Sequence, residues 1–240
     1  MIWKSNRELK NQLNTSSFFP IEDRSITIPA GTVSLEGDLG VPDQAQGLII
    51  FAHGSGSSRR SPRNRSVARF LRQVGLGTLL FDLLTSEEEI EDFRTGHLRF
   101  NIIFLAERLI AVTDWLSLHP DTQRAAFGFF GASTGAAAAL IAASKRPNLI
   151  KAVVSRGGRP DLAGSFLFRV TAPTLFIVGG QDYPVINMNR EAMEKIRSQK
   201  ELVIIPGATH LFEEPGTLEE VARLAALWFK KFLTSVPEPS

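Results

Sequence analysis

The sequence predicts an α/β fold in which a mainly parallel sheet is covered by helices on both faces. Three observations lead there. Short apolar runs recur at 47–52, 78–83, 125–130, 152–155, 174–178 and 202–205. Helical patterns or polar connections separate them. The runs are apolar almost continuously rather than at every second position, as expected of strands buried on both faces.

Each element can be argued in order. Residues 25–28 and 33–41 read as two strands of a hairpin, with Ala30-Gly31 suited to the turn. The run GLIIFA at 47–52 is a buried strand, 67–74 belongs to a helix, and TLLFDL at 78–83 is the next strand. The acidic run 87–92 reads as a solvated loop or a helix start, and the stretch 86–99 receives no further assignment. Residues 101–118 carry apolar side chains at helical spacing and stop before Pro120. A strand at 125–130 and a helix at 134–145 follow, and 218–233 closes the pattern as an amphipathic helix. Only about fifteen residues lie between Ser155 and Thr174, too few for an inserted helical cap, so the site is expected to be open.

The 240 residues are expected to form one domain, with 1–20 as an N-terminal extension and 236–240 as a loose tail. Hydrophobic residues make up 43% and charged residues 22%, enough apolar surface for a sizeable core. The net charge of +2 gives no reason to expect nucleic acid or a membrane as partner. The absence of cysteine excludes disulfides, thiolate metal sites and a thiol nucleophile. Residues 1–14 contain no apolar core of a signal peptide, and no run reaches the roughly 18–20 apolar residues of a membrane span, so a cytoplasmic protein, monomer or homodimer, is the expectation.

The chemistry gathers at loops that leave strands. Gly131-Ala132-Ser133-Thr134-Gly135 matches G-x-S-x-G and sits between a strand and a helix, where the mechanism requires it. A serine hydroxyl there is lifted above the sheet, and the helix N-terminus brings unsatisfied N–H groups near a developing oxyanion. Four histidines are available as its base: His53, His97, His119 and His210. His119 precedes Pro120 at a helix end and reads as a cap or surface residue, and His97 lies in a polar stretch. His210 follows a late strand through Pro206-Gly207-Ala208-Thr209, at the carboxyl edge where ligands of open parallel sheets bind. The orienting acid is expected to be Asp182, in Gly179-Gly180-Gln181-Asp182, giving the order Ser…Asp…His; Asp161 and Asp82 are the substitutes. The turn His53-Gly54-Ser55-Gly56-Ser57-Ser58 can aim a backbone N–H at a carbonyl oxygen. That donor is assigned to Ser55, with Gly56 as the alternative, and the second donor to Thr134. His53 and Gly54 shape this binding loop. No Gly-Lys-Ser/Thr follows, so a phosphate-cradling loop is disfavoured. These parts describe ester cleavage on a small-molecule substrate through an acyl-enzyme, with no metal or cofactor required.

From Gly47 onward the chain resembles the α/β-hydrolase superfamily, most closely its small, cap-less dienelactone hydrolase-like branch. The residues carrying the likeness are HGSGSS at 53–58, GASTG at 131–135, FIVGGQD at 176–182 and PGATH at 206–210. The resemblance implies the α/β-hydrolase fold: an eight-stranded, mostly parallel sheet flanked by helices, without a cap domain, the early hairpin supplying the antiparallel edge. Dienelactone hydrolases proper use a cysteine where this chain has Ser133, which favours esterase-type activity. The stretch HGSGSSRRSPRNR also looks like hydrolase domains that are sometimes fused to phosphoribosyltransferases, although nothing in this chain looks like the transferase part. A thioesterase, acyltransferase or peptidase uses the same triad, and a binding protein can keep the scaffold without turnover.

Arg59, Arg60, Arg63 and Arg65 follow the 53–58 turn, and Arg156 and Arg159 follow the strand at 152–155. Both loops leave the carboxyl edge. A positively charged rim that binds carboxylate or phosphate groups is therefore expected, with Arg63 and Arg156 as its probes; solvated arginines in structural ion pairs are the alternative.

Overall fold

The computed structural model describes residues 23–233, so the expectations for the extension 1–20 and the tail 236–240 fall outside the described residues. In chain order the elements are β1 (Arg24–Ala30), β2 (Val33–Gly40), β3 (Leu48–Ala52), α1 (Pro62–Gln73), β4 (Gly77–Phe81), α2 (Ser86–Thr95) and α3 (Ile102–Leu118). There follow β5 (Phe127–Ala132), α4 (Thr134–Lys145), β6 (Ile150–Arg156), a 3-10 segment (Pro160–Arg169), β7 (Thr174–Gly179), α5 (Tyr183–Lys195), β8 (Lys200–Ile205) and α6 (Thr217–Leu233).

The eight strands form one sheet in the order β1-β2-β4-β3-β5-β6-β7-β8. β2 runs antiparallel to both of its neighbours, whereas β4, β3, β5, β6, β7 and β8 pair in parallel. The hairpin turns at Gly31, whose φ of 71° is open to glycine at no steric cost. Every residue of β3, β4, β5 and β7 is buried, which is why these strands carry no alternation. β1 and β2, at the edge, do alternate, with Ile28, Leu35 and Leu39 turned inward.

Two large cores hold the layers together, with a small third cluster of Val178, Val185 and Ile186 under α5. On one face α3, α4 and the 3-10 segment bury Leu109, Leu140 and Leu167 with Phe129 and Phe176 of the sheet. On the other face α1 and α6 bury Val67, Leu71, Val221 and Phe229 with Phe51, Phe130 and Ile177. Each such side chain contributes about 1.5–3 kcal/mol by leaving water, offset by the entropy of ordering the chain. Among the described residues, the connection from β6 to β7 holds only the 3-10 segment and no cap.

Some boundaries differ from the sequence reading. β5 continues to Ala132 instead of stopping at 130, because Gly131 and Ala132 still pair with Ser155 and Arg156 of β6. α1 starts at Pro62, five residues before the expected apolar stretch, capped by the Ser61 hydroxyl accepting from the Asn64 N–H at 3.4 Å. One helix realises an alternative left open by the sequence reading, a helix start in the acidic run, and another, α5, was not anticipated. α2 occupies the acidic run: Thr85 and Glu88 form a reciprocal capping box, three glutamates lie in the first turn, and Gly96 ends it at φ 67°. α5 begins directly after Asp182, with Val185, Ile186, Asn189 and Ala192 on its buried face.

Candidate active site

The carboxyl ends of the parallel strands face one edge, and the loops there carry the residues singled out from the sequence. Ser133 joins β5 to α4 with φ 50° and ψ −122°, a conformation costing a non-glycine residue about 1–3 kcal/mol. Its surroundings enforce the turn. The Ser133 N–H donates to the Arg156 carbonyl at 3.2 Å, and the Ser133 carbonyl accepts from the Arg159 N–H at 3.0 Å and the Ala136 N–H at 3.1 Å. The glycines of the motif make the strand-to-helix approach possible. A Cβ on Gly131 would lie 2.4 Å from the Ala136 Cα, and one on Gly135 would lie 2.2 Å from the Ala52 carbonyl oxygen. Thr134 is the first helical residue, so its N–H has no intrahelical acceptor.

Asp182 and His210 meet across two loops. His210 Nδ1 lies 2.6 Å from Asp182 Oδ2, with the carboxylate side chain 13% exposed and the imidazole 40% exposed. The loops are tied to one another by the Gly180 N–H donating to the Ile205 carbonyl at 2.8 Å and the Gln181 N–H to the Ala208 carbonyl at 2.9 Å. Asp182 occupies the N-cap position of α5 yet makes no capping hydrogen bond there, since its carboxylate is turned to His210. Gly157, at φ 50°, brings the chain beside the imidazole: a Cβ there would be 3.5 Å from its Nδ1 and Cε1. The imidazole thus lies against the segment that follows Arg156, whose carbonyl holds Ser133. The two substitute acids are committed elsewhere. Asp82 accepts from the Arg59 N–H at 2.7 Å and pairs with its guanidinium, and Asp161 holds Arg159 through two bonds of 2.9 and 2.8 Å.

The 53–58 turn packs against the nucleophile. A Cβ on Gly54 would lie 3.0 Å from the Ser133 Cβ. The Ser55 N–H donates to Thr134 Oγ1 at 2.9 Å, so the expected oxyanion donor already has a neutral hydroxyl as partner. His53 is buried and neutral. Its Nε2 accepts from the Leu83 N–H at 3.1 Å, which leaves the proton on Nδ1, 3.0 Å from the Gly54 carbonyl it donates to. Burial pushes its pKa below the ordinary imidazole value, against the opposing effects of the Gly54 bond and Asp82. The other two histidines are peripheral: His97 bonds to Thr95, and His119 caps α3 beside Trp115.

The 53–58 turn also forms one wall of a cavity of about 700 Å³. Leu83, Leu84, Ile90, Phe93 and Leu105 supply its apolar lining, so α2, unassigned from the sequence, borders the site. Ile90 and Phe93 are 72% and 84% exposed. Asp92 and Arg99 pair beneath them. Burial opposes the Asp92 charge, but Arg99 and the N–H groups of Leu98 and Arg99 outweigh it and hold the carboxyl below its usual range. At the mouth, partial burial and the nearby Asp82 push the Glu89 carboxyl up. The signals for α2 were in the sequence: Thr85 three residues before Glu88, and Gly96 after the last turn.

The arginine rim takes a narrower form than expected. Arg59 and Arg159 are neutralised by Asp82 and Asp161, while Arg60 and Arg65 are exposed. Arg63 pairs with Glu213 at 3.0 Å. Arg156 is only 8% exposed and lies over the Phe212 ring, 6.0 Å from its centroid. The expected rim is therefore narrowed: Asp82 and Asp161 neutralise Arg59 and Arg159, Arg60 and Arg65 stand in solvent, and Arg63 and Arg156 are the two that keep guanidinium nitrogens buried and unbonded.

A family model for the dienelactone hydrolase family matches residues 36–235. The chain belongs to the dienelactone hydrolase family. A dienelactone hydrolase from Anabaena variabilis shares 58% identity with this family member, over 89% of this chain and 99% of that one, with a TM-score of 0.88. A lidless α/β serine hydrolase from Xanthomonas campestris superposes with a TM-score of 0.72 over 92% of this chain and all of that one; at 20% identity it shows the shared fold. A protein of Mycobacterium tuberculosis named a putative phosphoribosyl transferase is 54% identical over 221 residues, 92% of this chain. The chain spans about half the length of that curated relative, 49%. Family and neighbours make this chain a hydrolase of the cap-less α/β type. No helix among the described residues is long and apolar enough to cross a membrane.

Proposed function

We propose that this family member hydrolyses carboxylic esters through an acyl-enzyme, with Ser133 as nucleophile, His210 as base and Asp182 as its orienting acid, and prefers small substrates that carry an anionic group. The observation that carries this reading is the 2.6 Å contact of His210 with Asp182 at the edge where Ser133 holds its strained turn.

Asp182 accepts from His210 Nδ1–H, which leaves Nε2 unprotonated and able to take the Ser133 proton as Oγ attacks the ester carbonyl. The tetrahedral oxyanion receives the Thr134 N–H and the Ser55 N–H, the latter exchanging the Thr134 hydroxyl for a charged acceptor. His210 returns the proton to the leaving alcohol. Water, deprotonated by His210, then attacks the acyl-enzyme, and Ser133 regains its proton as the acid departs. The cavity beside the 53–58 turn suits an apolar portion of the substrate. Dienelactone, in the name of the Anabaena relative, and phosphoribosyl transfer, in that of the mycobacterial one, are not carried over: Ser133 stands where dienelactone hydrolases proper use a cysteine, and this chain matches only 49% of the mycobacterial protein.

Nitrophenol release from short-chain esters by the parent and by Ser133→Ala tests the reading. Turnover by the parent, lost in a folded Ser133→Ala, is the expected result. Equal turnover by both proteins would remove Ser133 from the mechanism.

A further inference from the structure

Among the described residues, the buried and half-buried arginines each pair with a carboxylate, with one exception. Arg59 has Asp82, Arg72 has Asp23 and Thr78, Arg99 has Asp92, Arg146 has Asp114, and Arg159 has Asp161. Arg156 has none. Its Nε and Nη1 are buried without an acceptor among the described residues, and its guanidinium lies over the Phe212 ring, 6.0 Å from the centroid. The Arg63 Nε is likewise buried and unbonded. The two guanidiniums repel one another: burial and then Arg63 lower the Arg156 pKa to about 10, which still leaves it charged at neutral pH. Arg63 also lies in the first turn of α1, which contains no acidic residue, so the helix dipole adds to the positive potential. Glu213 bonds Arg63 Nη1 from a position 62% exposed to water. Buried charges without counter-ions are among the least favourable arrangements in proteins.

The location ties this charge to the reaction. The Arg156 carbonyl holds the Ser133 N–H, and Phe212 lies two residues beyond His210. In the sheet, β5 carries Ser133 between β3 and β6. The apolar cavity lies on the β3–β4 side, and Arg156 ends β6 on the other.

We propose that Arg156 and Arg63 form an anion-binding subsite beside Ser133, on the flank away from the apolar cavity, taking two oxygens of a carboxylate or phosphate and displacing Glu213 from Arg63. The planar guanidinium of Arg156 can offer Nε with Nη2 as a side-on pair for two oxygens, the edge that Arg146, Arg159 and Arg223 turn to carboxylates, and its Nε has no acceptor. The preferred ester then carries an anion on one side of the scissile bond and an apolar group on the other. This deepens the hydrolase reading and rests on it for substrate preference, but not for binding.

Inorganic phosphate is the first probe, measured by calorimetric titration of the parent, Ser133→Ala, Arg156→Gln, Arg156→Lys and Arg63→Gln. Phosphate is expected to bind the parent and Ser133→Ala alike, to bind Arg156→Gln at least tenfold more weakly, and to bind Glu213→Gln more tightly than the parent. The second probe is the ratio of kcat/KM for nitrophenyl hemiglutarate to that for nitrophenyl butyrate. The ratio is expected to exceed ten in the parent and to collapse in Arg156→Gln and Arg63→Gln, chiefly through KM. Should Arg156→Gln fail to fold, Arg156→Lys, which keeps the charge and loses the paired donors, and Arg63→Gln carry the comparison. If phosphate competes with the hemiglutarate, the substrate's own anion fills the subsite; if it changes butyrate turnover without competing, a free anion does. Equal phosphate binding by parent and variants, or an unchanged ratio in both arginine variants, overturns the subsite. Phosphate binding with no turnover of any ester would overturn the hydrolase reading alone.

Discussion

Replacing Asp182 by asparagine keeps size and shape while removing one charge, so it isolates what the carboxylate does for His210. In the ground state the imidazole is neutral and the loss is small. In the transition state it becomes an imidazolium, 2.6 Å from the carboxylate by its Nδ1. Taking the two charge centres as roughly 4 Å apart in an effective dielectric of about 20, the attraction is about 4 kcal/mol. His210 is 40% exposed and solvent screens part of it, so about 3 kcal/mol is a better figure. Each 1.36 kcal/mol is a factor of ten, giving a fall in kcat of roughly two orders of magnitude from charge alone. Asparagine can also present its amide N–H to Nδ1, which selects the wrong tautomer and moves the loss toward about 10⁴. The assay is steady-state hydrolysis of a nitrophenyl ester, with KM expected to change little. A kcat within threefold of the parent would refute the coupling of Asp182 to the chemistry.

Three further outcomes are expected. Gly135→Ala drives a Cβ to 2.2 Å from the Ala52 backbone carbonyl, which cannot swing aside, so unfolding in guanidinium should show a loss of about 2 kcal/mol or more; a loss under 0.5 kcal/mol would contradict the close approach. Burial depresses the His53 pKa, so the unfolded chain binds this proton more tightly than the folded one, and the stability involved is full above about pH 6.5 and lost as pH falls below it. Denaturant midpoints at pH 7.5 and 5.5 should therefore differ less in His53→Asn than in the parent, and an equal difference would remove His53 as the source. Phe93→Ala trims an exposed wall of the cavity, so stability should stay within about 0.5 kcal/mol while KM for esters with a bulky apolar group rises several-fold; an unchanged KM would place that group elsewhere.

The parallel sheet and its carboxyl-edge loops were legible because the chain announces them locally. Continuous apolar runs give buried strands, and strand direction decides which ends face together, so Ser133, Asp182 and His210 could all be placed at the carboxyl edge; the contact between His210 and Asp182 is a matter of tertiary placement. The helix at 86–95 was equally local, carried by Thr85, Glu88 and Gly96, but few apolar residues in it obscured the periodicity. The fate of the arginines was not legible. Arg59 finds Asp82 across 23 positions and Arg63 finds Glu213 across 150, choices made by tertiary placement rather than by neighbours in sequence. The Ser55 bond to Thr134 is of the same kind: it spans 79 positions, and no local pattern foretells it.

The imidazole of His53 has a consequence for the peptide that follows it. In a trans peptide the carbonyl of residue 54 and the N–H of residue 55 point in opposite directions. Holding the Gly54 oxygen at His53 therefore turns the Ser55 N–H toward the nucleophile, and the Leu83 N–H locks the ring that does the holding. A flipped peptide would place an oxygen where negative charge must develop. His53 thus holds this peptide in one orientation, and on the proposed mechanism that points the N–H of residue 55 toward the developing charge before any substrate arrives.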